Sequence, residues 1–424
     1  MLLELSINKF AAKAALALAV SCACVMLSYA IITNFIVSAL TDERANVSRD
    51  TLESAARYFS DSARLNARLA EAFGRERDMA DAEAYAIRAI SLSPYNYNFH
   101  LLLATIKESN GEAQAAEDSL REAIRLAPNK TDAHWQLANF LLRTGKLGQA
   151  TGEFRAACAM NQKLLPVTLV MIWRASGGKL EALEAVTAAD VKSKLALAQF
   201  LLKQSRADAA ADVFNRIERK ALLASPETGE FINALAGSNY LELARKLWVH
   251  VAGDDSREYP LVWNGSFESD IVKGFAQFDW AIGSSDYAKV KISSGQSHGG
   301  SRALRVDFTG RDTTRLTGEI SQLIVLNSGA RYLIECYAKA ETLVTTEGPR
   351  IAVTTRAGDL VAVSEPVAVA ETGWQRLTIE FTAPQTPDAF YIAVKRRSKF
   401  SYDQPTTGTI WFDDFKLTEV KQSR

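Results

Sequence analysis

The sequence predicts a multidomain α + β chain: an apolar transmembrane helix, an α-solenoid of antiparallel helix pairs, and an antiparallel β-sandwich. Three observations predict it. An uncharged apolar run of 28 residues spans 14–41, a 34-residue period follows it, and from about position 259 the hydrophobic pattern changes to short alternating runs. A chain of 424 residues also exceeds one ordinary core, so two or three domains are expected.

Residues Ala14 to Thr41 carry no charge, against the roughly 20 residues needed to cross the hydrocarbon core as a helix. Lys9 and Lys13 precede the run, and Asp42, Glu43 and Arg44 follow it. The positive-inside bias therefore places 1–13 in the cytoplasm, 14–41 in the membrane as a single pass, and the bulk of the chain on the periplasmic or extracytoplasmic side. Two alternatives compete. Ser28-Tyr29-Ala30 has the form of a small-x-small cleavage site, but apolar sequence continues from Ile31 to Leu40, which a signal peptide does not need. Lipid attachment at Cys22 is the other, although Ala19-Val20-Ser21 lacks the leucine usual before a lipidated cysteine. All three put most of the chain outside the cytoplasm.

Residues 50–253 carry the period. Ala82, Ala116 and Ala150 are spaced by 34, as are Ala89, Ala123 and Ala157, and Leu69, Leu103 and Leu137; Gly111 and Gly145 share the spacing, as do Pro94 and Pro128. Small residues at fixed places let two antiparallel helices approach closely. The glycine ends the first helix of a pair and the proline stops the second. Three units follow, near 63–96, 97–130 and 131–164, then an eroded one over 165–190, a recovered one over 197–217 with Ser205 at the glycine position, and a closing helix pair over 228–252. Each unit buries its apolar face only against its neighbours.

The period and its small-residue pattern resemble the tetratricopeptide repeat, with His100 or His134 where that family has an aromatic. The resemblance implies a groove that binds a protein partner; a rigid spacer is the other use of such a stack.

Residues 258–424 read as β-structure. Leu304, Val306 and Phe308 alternate with polar neighbours, as do Leu377, Ile379 and Phe381, and turn signals recur at Gly283-Ser284-Ser285, His298-Gly299-Gly300 and Asn327-Ser328-Gly329. Nine to eleven short strands point to a two-sheet sandwich. The ordered set Asn264-Gly265-Ser266-Phe267-Glu268, His298-Gly299-Gly300-Ser301-Arg302-Ala303-Leu304, Gly373-Trp374-Gln375 and Ile410-Trp411-Phe412-Asp413-Asp414-Phe415 resembles the jelly-roll carbohydrate-binding modules of the 4/9/22 type, within the galactose-binding-like group. The resemblance implies that the opening strand and the last strand lie together and hold a structural calcium ion through Glu268 and Asp413. It also implies a glycan or polysaccharide ligand, stacked on exposed aromatics. The candidates are Trp280, Tyr287, Tyr332, Tyr337, Phe400 and Tyr402; Trp374 and Trp411 match core positions and are set aside. The stretch Arg396 to Asp403 interleaves basic and aromatic residues, in the manner of a loop that meets an acidic polysaccharide or is simply solvated.

Composition and motifs exclude more than they select. Forty-nine basic and 49 acidic side chains balance, so the basic surplus of a general nucleic-acid binder is absent and no nucleic acid is expected as partner. Cys22, Cys24, Cys158 and Cys336 outline neither a disulfide framework nor a metal site. The four histidines are scattered. Carboxylates at Glu268, Asp270, Asp279, Asp413 and Asp414 single out no glycosidase pair beyond the two assigned to calcium. No phosphate loop or nucleophile elbow appears. The expectation is a non-catalytic, membrane-anchored envelope scaffold for polysaccharide assembly or export. The alternatives are a protein–protein adaptor without sugar binding and a polysaccharide-active enzyme.

Overall fold

The computed structural model describes residues 10–42, 45, 47–253, 260–272, 274–310, 316–370, 373–385, 389–397 and 405–420. Packing divides the chain into two units, Met1–Ala188 and Ala189–Arg424.

The first unit opens with α1 (Phe10–Thr41). Within it Lys13–Thr41, 29 residues with a mean hydropathy of 2.3 and none of it buried, is long and apolar enough to cross a membrane. The Ser48 hydroxyl caps α2 (Arg49–Tyr58) by accepting the Thr51 amide at 3.3 Å. Three helix pairs follow: α3 (Ala63–Arg75) with α4 (Met79–Leu92), α5 (Tyr97–Ser109) with α6 (Ala113–Leu126), and α7 (Thr131–Arg143) with α8 (Leu147–Met160). The evenly spaced alanines are the close-approach points: Ala82, Ala116 and Ala150, like Ala89, Ala123 and Ala157, are fully buried. Gly111 and Gly145 turn the chain between the helices of a pair at φ +79° and +77°, a backbone that side-chain-bearing residues adopt at a cost. The histidines at the family's aromatic position reach back one turn-length. The His134 ring bonds the Pro128 carbonyl at 2.9 Å and the His100 ring the Pro94 carbonyl at 3.3 Å. A shorter pair, α9 (Leu165–Ser176) and α10 (Leu180–Val186), closes the unit.

The second unit joins helices to strands. It begins with α11 (Val191–Lys203), α12 (Ala207–Asn215), α13 (Arg219–Ala224), α14 (Pro226–Gly237) and α15 (Leu241–Ala252). Among the described residues ten antiparallel strands follow: β1 (Trp280–Ile282), β2 (Ala288–Ser293), β3 (Ala303–Thr309), β4 (Ile320–Ile324), β5 (Arg331–Val344), β6 (Arg350–Thr355), β7 (Leu360–Val363), β8 (Gln375–Thr382), β9 (Phe390–Lys395) and β10 (Thr407–Glu419). They form two five-stranded sheets, ordered β1-β4-β9-β6-β7 and β2-β3-β10-β5-β8. Their inner faces share one apolar core that includes Leu304, Val306, Ile334, Ile351, Val353, Ile392, Val394, Ile410 and Phe412. The opening segment lies along the last strand, with the Phe415 amide donating to the Gly265 carbonyl at 2.9 Å. A Cβ on Gly265 would fall 2.0 Å from the Phe415 carbonyl oxygen, so the approach requires glycine.

The change in hydrophobic pattern suggests a division near 255, yet the packing break falls after Ala188. The reason is a set of contacts tying the last helices to the strand region. The Trp248 indole N–H donates to the Phe275 carbonyl at 3.1 Å. The ring stacks on Phe275 and meets Trp263 edge-on, at centroid distances of 5.8 and 5.0 Å. The Arg245 guanidinium donates to the Pro260 carbonyl at 2.5 Å. Gly229 of α14 lies so close to Gly274 that a Cβ there would stand 2.8 Å from its carbonyl oxygen.

Candidate functional site

On the outer face of the first sheet, β9, β6 and β7 lie side by side. Ile351, Val353, Ile392 and Val394 fill the core, so strand alternation turns Arg350, Ala352 and Lys395 outward. These residues border a cleft of about 430 Å³, within the range of roughly 300–1,000 Å³ usual for small-ligand pockets. Ala352 is its floor, paired with Val363 of β7 and Ala393 of β9. Leu360 and Val363 form an exposed apolar wall. Arg350 donates to the Ser364 carbonyl at 3.1 Å and to the Glu347 carboxylate. Lys395 is held below the usual lysine range by burial and by the neighbouring Arg397 charge.

The outer face of the second sheet carries an aromatic cluster. The His298 ring stacks on Tyr337 at 3.6 Å and meets Trp374 edge-on at 5.6 Å. Its Nδ1 lies 2.6 Å from the Asp414 carboxylate. Trp374 is half-exposed here, not in the core as the family match suggested. Trp411 points outward between the core residues Ile410 and Phe412, yet it is covered: the Arg305 guanidinium sits 5.1 Å over its ring and its Nε1 donates to Glu341 at 3.1 Å.

The structure divides the nominated aromatics. Trp280 and Tyr332, each 1% exposed, belong to the core and offer no face to a ligand. Trp280 packs against Phe267 and Phe415, and Tyr332 against Phe381. Tyr287 is half-buried. Tyr337 is half-buried too, with His298 on one of its faces. Phe400 and Tyr402 lie outside the described residues, as does most of the 396–403 stretch. Sequence reasoning missed Arg350, Leu360 and Val363, because only the β6–β7–β9 pairing brings them together.

The two residues nominated for calcium, Glu268 and Asp413, hold a loop instead. Glu268 accepts the Ser301 and Arg302 amides at 2.7 and 2.8 Å and the Ser301 hydroxyl at 2.8 Å. Together these keep its carboxyl below the usual range, the Ser301 hydroxyl contributing most. Asp413 is fully buried; it accepts the His298 amide at 2.7 Å, Gly299 at 3.1 Å and Asp414 at 2.7 Å. Burial nevertheless raises its pKa. A β-bulge between Asp413 and Lys416, with Asp414 at φ +48°, turns these carboxylates toward the loop. A calcium ion needs about six to eight oxygens. Here N–H dipoles present their positive ends to both carboxylates, and a Cβ on Gly300 would stand 2.4 Å from Glu268 Oε1. The residues as placed do not fit the ion, and among the described residues no cluster of three or more His, Cys, Asp or Glu is arranged to hold a metal.

In the first unit, the first helices of successive pairs line a groove of about 500 Å³. Arg64 and Arg68 of α3, Asn98 and Leu102 of α5, and Asp132 and Gln136 of α7 border it. Thr41, at the end of α1, borders it as well.

Residues 259–403 match the family described as carbohydrate binding domain, and residues 101–163 match the tetratricopeptide repeat. Both matches are to binding, non-catalytic families. The repeat match covers α5 to α8, and the carbohydrate-binding match covers the sandwich up to the loop before β10. Similar solved structures include that of MamA, at 16% identity over 37% of this chain and 89% of that one with a TM-score of 0.30. Another is a structure described as CBM4 structure and function, at 19% identity over 38% and 99% with a TM-score of 0.28. Pseudomonas aeruginosa pilF matches at 18% identity over 43% and 86%, with a TM-score of 0.29. No curated protein sequence matches the chain.

Proposed function

We propose that the chain is a membrane-anchored, non-catalytic scaffold of the cell envelope, whose repeat groove binds a protein partner and whose sandwich binds a glycan. The observation that carries the glycan reading is the cleft bordered by Arg350, Ala352, Val363 and Lys395, inside the segment that matches a carbohydrate binding domain. An apolar wall beside hydrogen-bonding side chains suits a sugar ring, which has CH faces and hydroxyl edges. The repeats support a partner-binding role through the polar groove along α3, α5 and α7. The long apolar α1 supports an anchor, with the rest of the chain extracytoplasmic. In that setting the protein serves assembly or export of a cell-surface polysaccharide.

The test is retention of the detergent-solubilised full chain on a panel of immobilised polysaccharides. Replacing Leu360 and Val363 together by serine removes the apolar wall while altering only exposed positions. Retention is expected to fall about tenfold, the equivalent of roughly 1.4 kcal/mol, with an unchanged melting temperature. Wild-type retention on no polysaccharide rejects glycan binding and leaves the adaptor reading.

A further inference from the structure

We infer that the β6–β7–β9 cleft takes an anionic sugar residue, its carboxylate or sulfate seated among Lys395, Arg350 and Arg397. This rests on the glycan reading of the cleft and names the chemistry of its ligand.

Arg350 and Lys395 are direct cross-strand partners on the outer face. Two like charges in that position destabilise a sheet pair, and opposite charges there would stabilise it. The chain keeps the unfavourable pairing at the border of a cleft. Glu347 neutralises Arg350. Among the described residues no ion pair or hydrogen bond engages the Lys395 ammonium, and Arg397 adds a second positive charge beside it, depressing its proton affinity. Arg396, between them in the chain, serves the fold: it is buried and donates to the Thr345 hydroxyl at 3.0 Å. Glu347 and Asp359 are the carboxylates that border the cleft, against Arg350, Lys395, Arg396 and Arg397, so it holds more cation than anion before any ligand arrives, and an anionic group restores the balance.

The geometry also suits the rest of a sugar. A guanidinium offers paired N–H donors to a carboxylate, and an ammonium adds a point charge. Leu360 and Val363, both exposed, give the pyranose an apolar surface on the other side. A neutral hexose would leave the Lys395 and Arg397 charges desolvated and unmatched, which penalises it. Charge thus sets specificity while the apolar wall contributes affinity.

The experiment compares full-length protein in detergent on immobilised polygalacturonate and on the same polymer with its carboxylates reduced to alcohols. The expected result is at least about tenfold stronger retention on the acidic polymer, weakened by added salt. Lys395→Gln and Arg397→Gln are expected to lose most of that preference, and Lys395→Arg to keep it at an unchanged melting temperature. Equal retention on the two polymers, unaffected by the charge variants, overturns the anionic inference and leaves glycan binding standing. If neither polymer nor the wider panel retains the wild type, both readings fail together.

Discussion

Arg77 lies 34 residues before Gly111 and adopts the same left-handed backbone, at φ +64° against +79°. The first repeat therefore makes the family's turn without the family's glycine, and Ser205 does the same at φ +57°. For a residue with a Cβ that conformation costs about 1 kcal/mol. Arg77→Gly and Ser205→Gly are each expected to stabilise the helical repeats by about 0.5–1 kcal/mol. Gly145→Ala is expected to destabilise them by a similar amount. Urea midpoints followed by far-UV circular dichroism decide the sign.

Asp279 gives the second unit a pH dependence. The side chain is 5% exposed, and burial lifts its pKa from 3.8 to about 6 despite a bond from the Trp280 amide. A raised carboxyl pKa means that folding favours the protonated form. The contribution of Asp279 to stability is therefore highest below pH 4, declines as pH rises toward 6, and stays at the lower level above that. At roughly 1.4 kcal/mol per unit of pKa, the cost at neutral pH is of the order of 3 kcal/mol. Asp279→Asn is expected to raise the melting temperature at pH 7 and flatten its dependence between pH 4 and 6. An unchanged slope in that window rules the assignment out.

The loop at 298–302 should be indifferent to calcium. Glu268 and Asp413 already accept its amides, so a chelator is expected to leave the melting temperature where it was. A rise of several degrees on adding calcium would mean that the carboxylates exchange amides for metal. Acid should act differently. The Glu268 carboxyl is held below its ordinary value, so its contribution is present above that value and is lost as pH falls through the folded one. Glu268→Gln should remove this component and loosen the loop, read as faster amide exchange at Ser301 and Arg302.

Trp248 should dominate the attachment of the helices to the strand region. Truncating a buried tryptophan costs about 3–5 kcal/mol, and here it also leaves the Phe275 carbonyl without its indole donor. Trp248→Ala is expected to make the chain around 260–272 more sensitive to protease while the strands keep their β-signature. Gly229→Ala should have the same effect more weakly, because its methyl meets the Gly274 carbonyl. Unaltered cleavage in both variants would show that the attachment lies elsewhere.

An anchor with the predicted polarity has a direct readout. A cysteine placed at Lys9 should resist, and one at Ser60 should accept, a membrane-impermeant thiol reagent applied to intact cells. Labelling of the first alone reverses the topology.

Much of this was legible in the sequence. The alanines at 82, 116 and 150 announced tight helix pairs because only a residue without bulk fits a close crossing, and that constraint is local and periodic. Strand alternation held more than the family match used. Leu377 and Ile379 face inward, so Trp374 shares the outward parity of Arg376; Ile334 and Cys336 face inward, so Tyr332 goes with them and Tyr337 does not. The packing of Trp280 against Phe415 was not legible, since it joins residues far apart in the chain. Nor was the facing of Arg350 and Lys395, which depends on a strand register that no short motif encodes.

With its indole seated among Trp263, Phe275 and Phe278, α15 grips the sandwich as a handle grips a blade. Tension on whatever the sandwich holds passes straight into the last helices instead of being absorbed by a swivel. A piece that keeps that grip whole begins near Ala189, well upstream of the first strand.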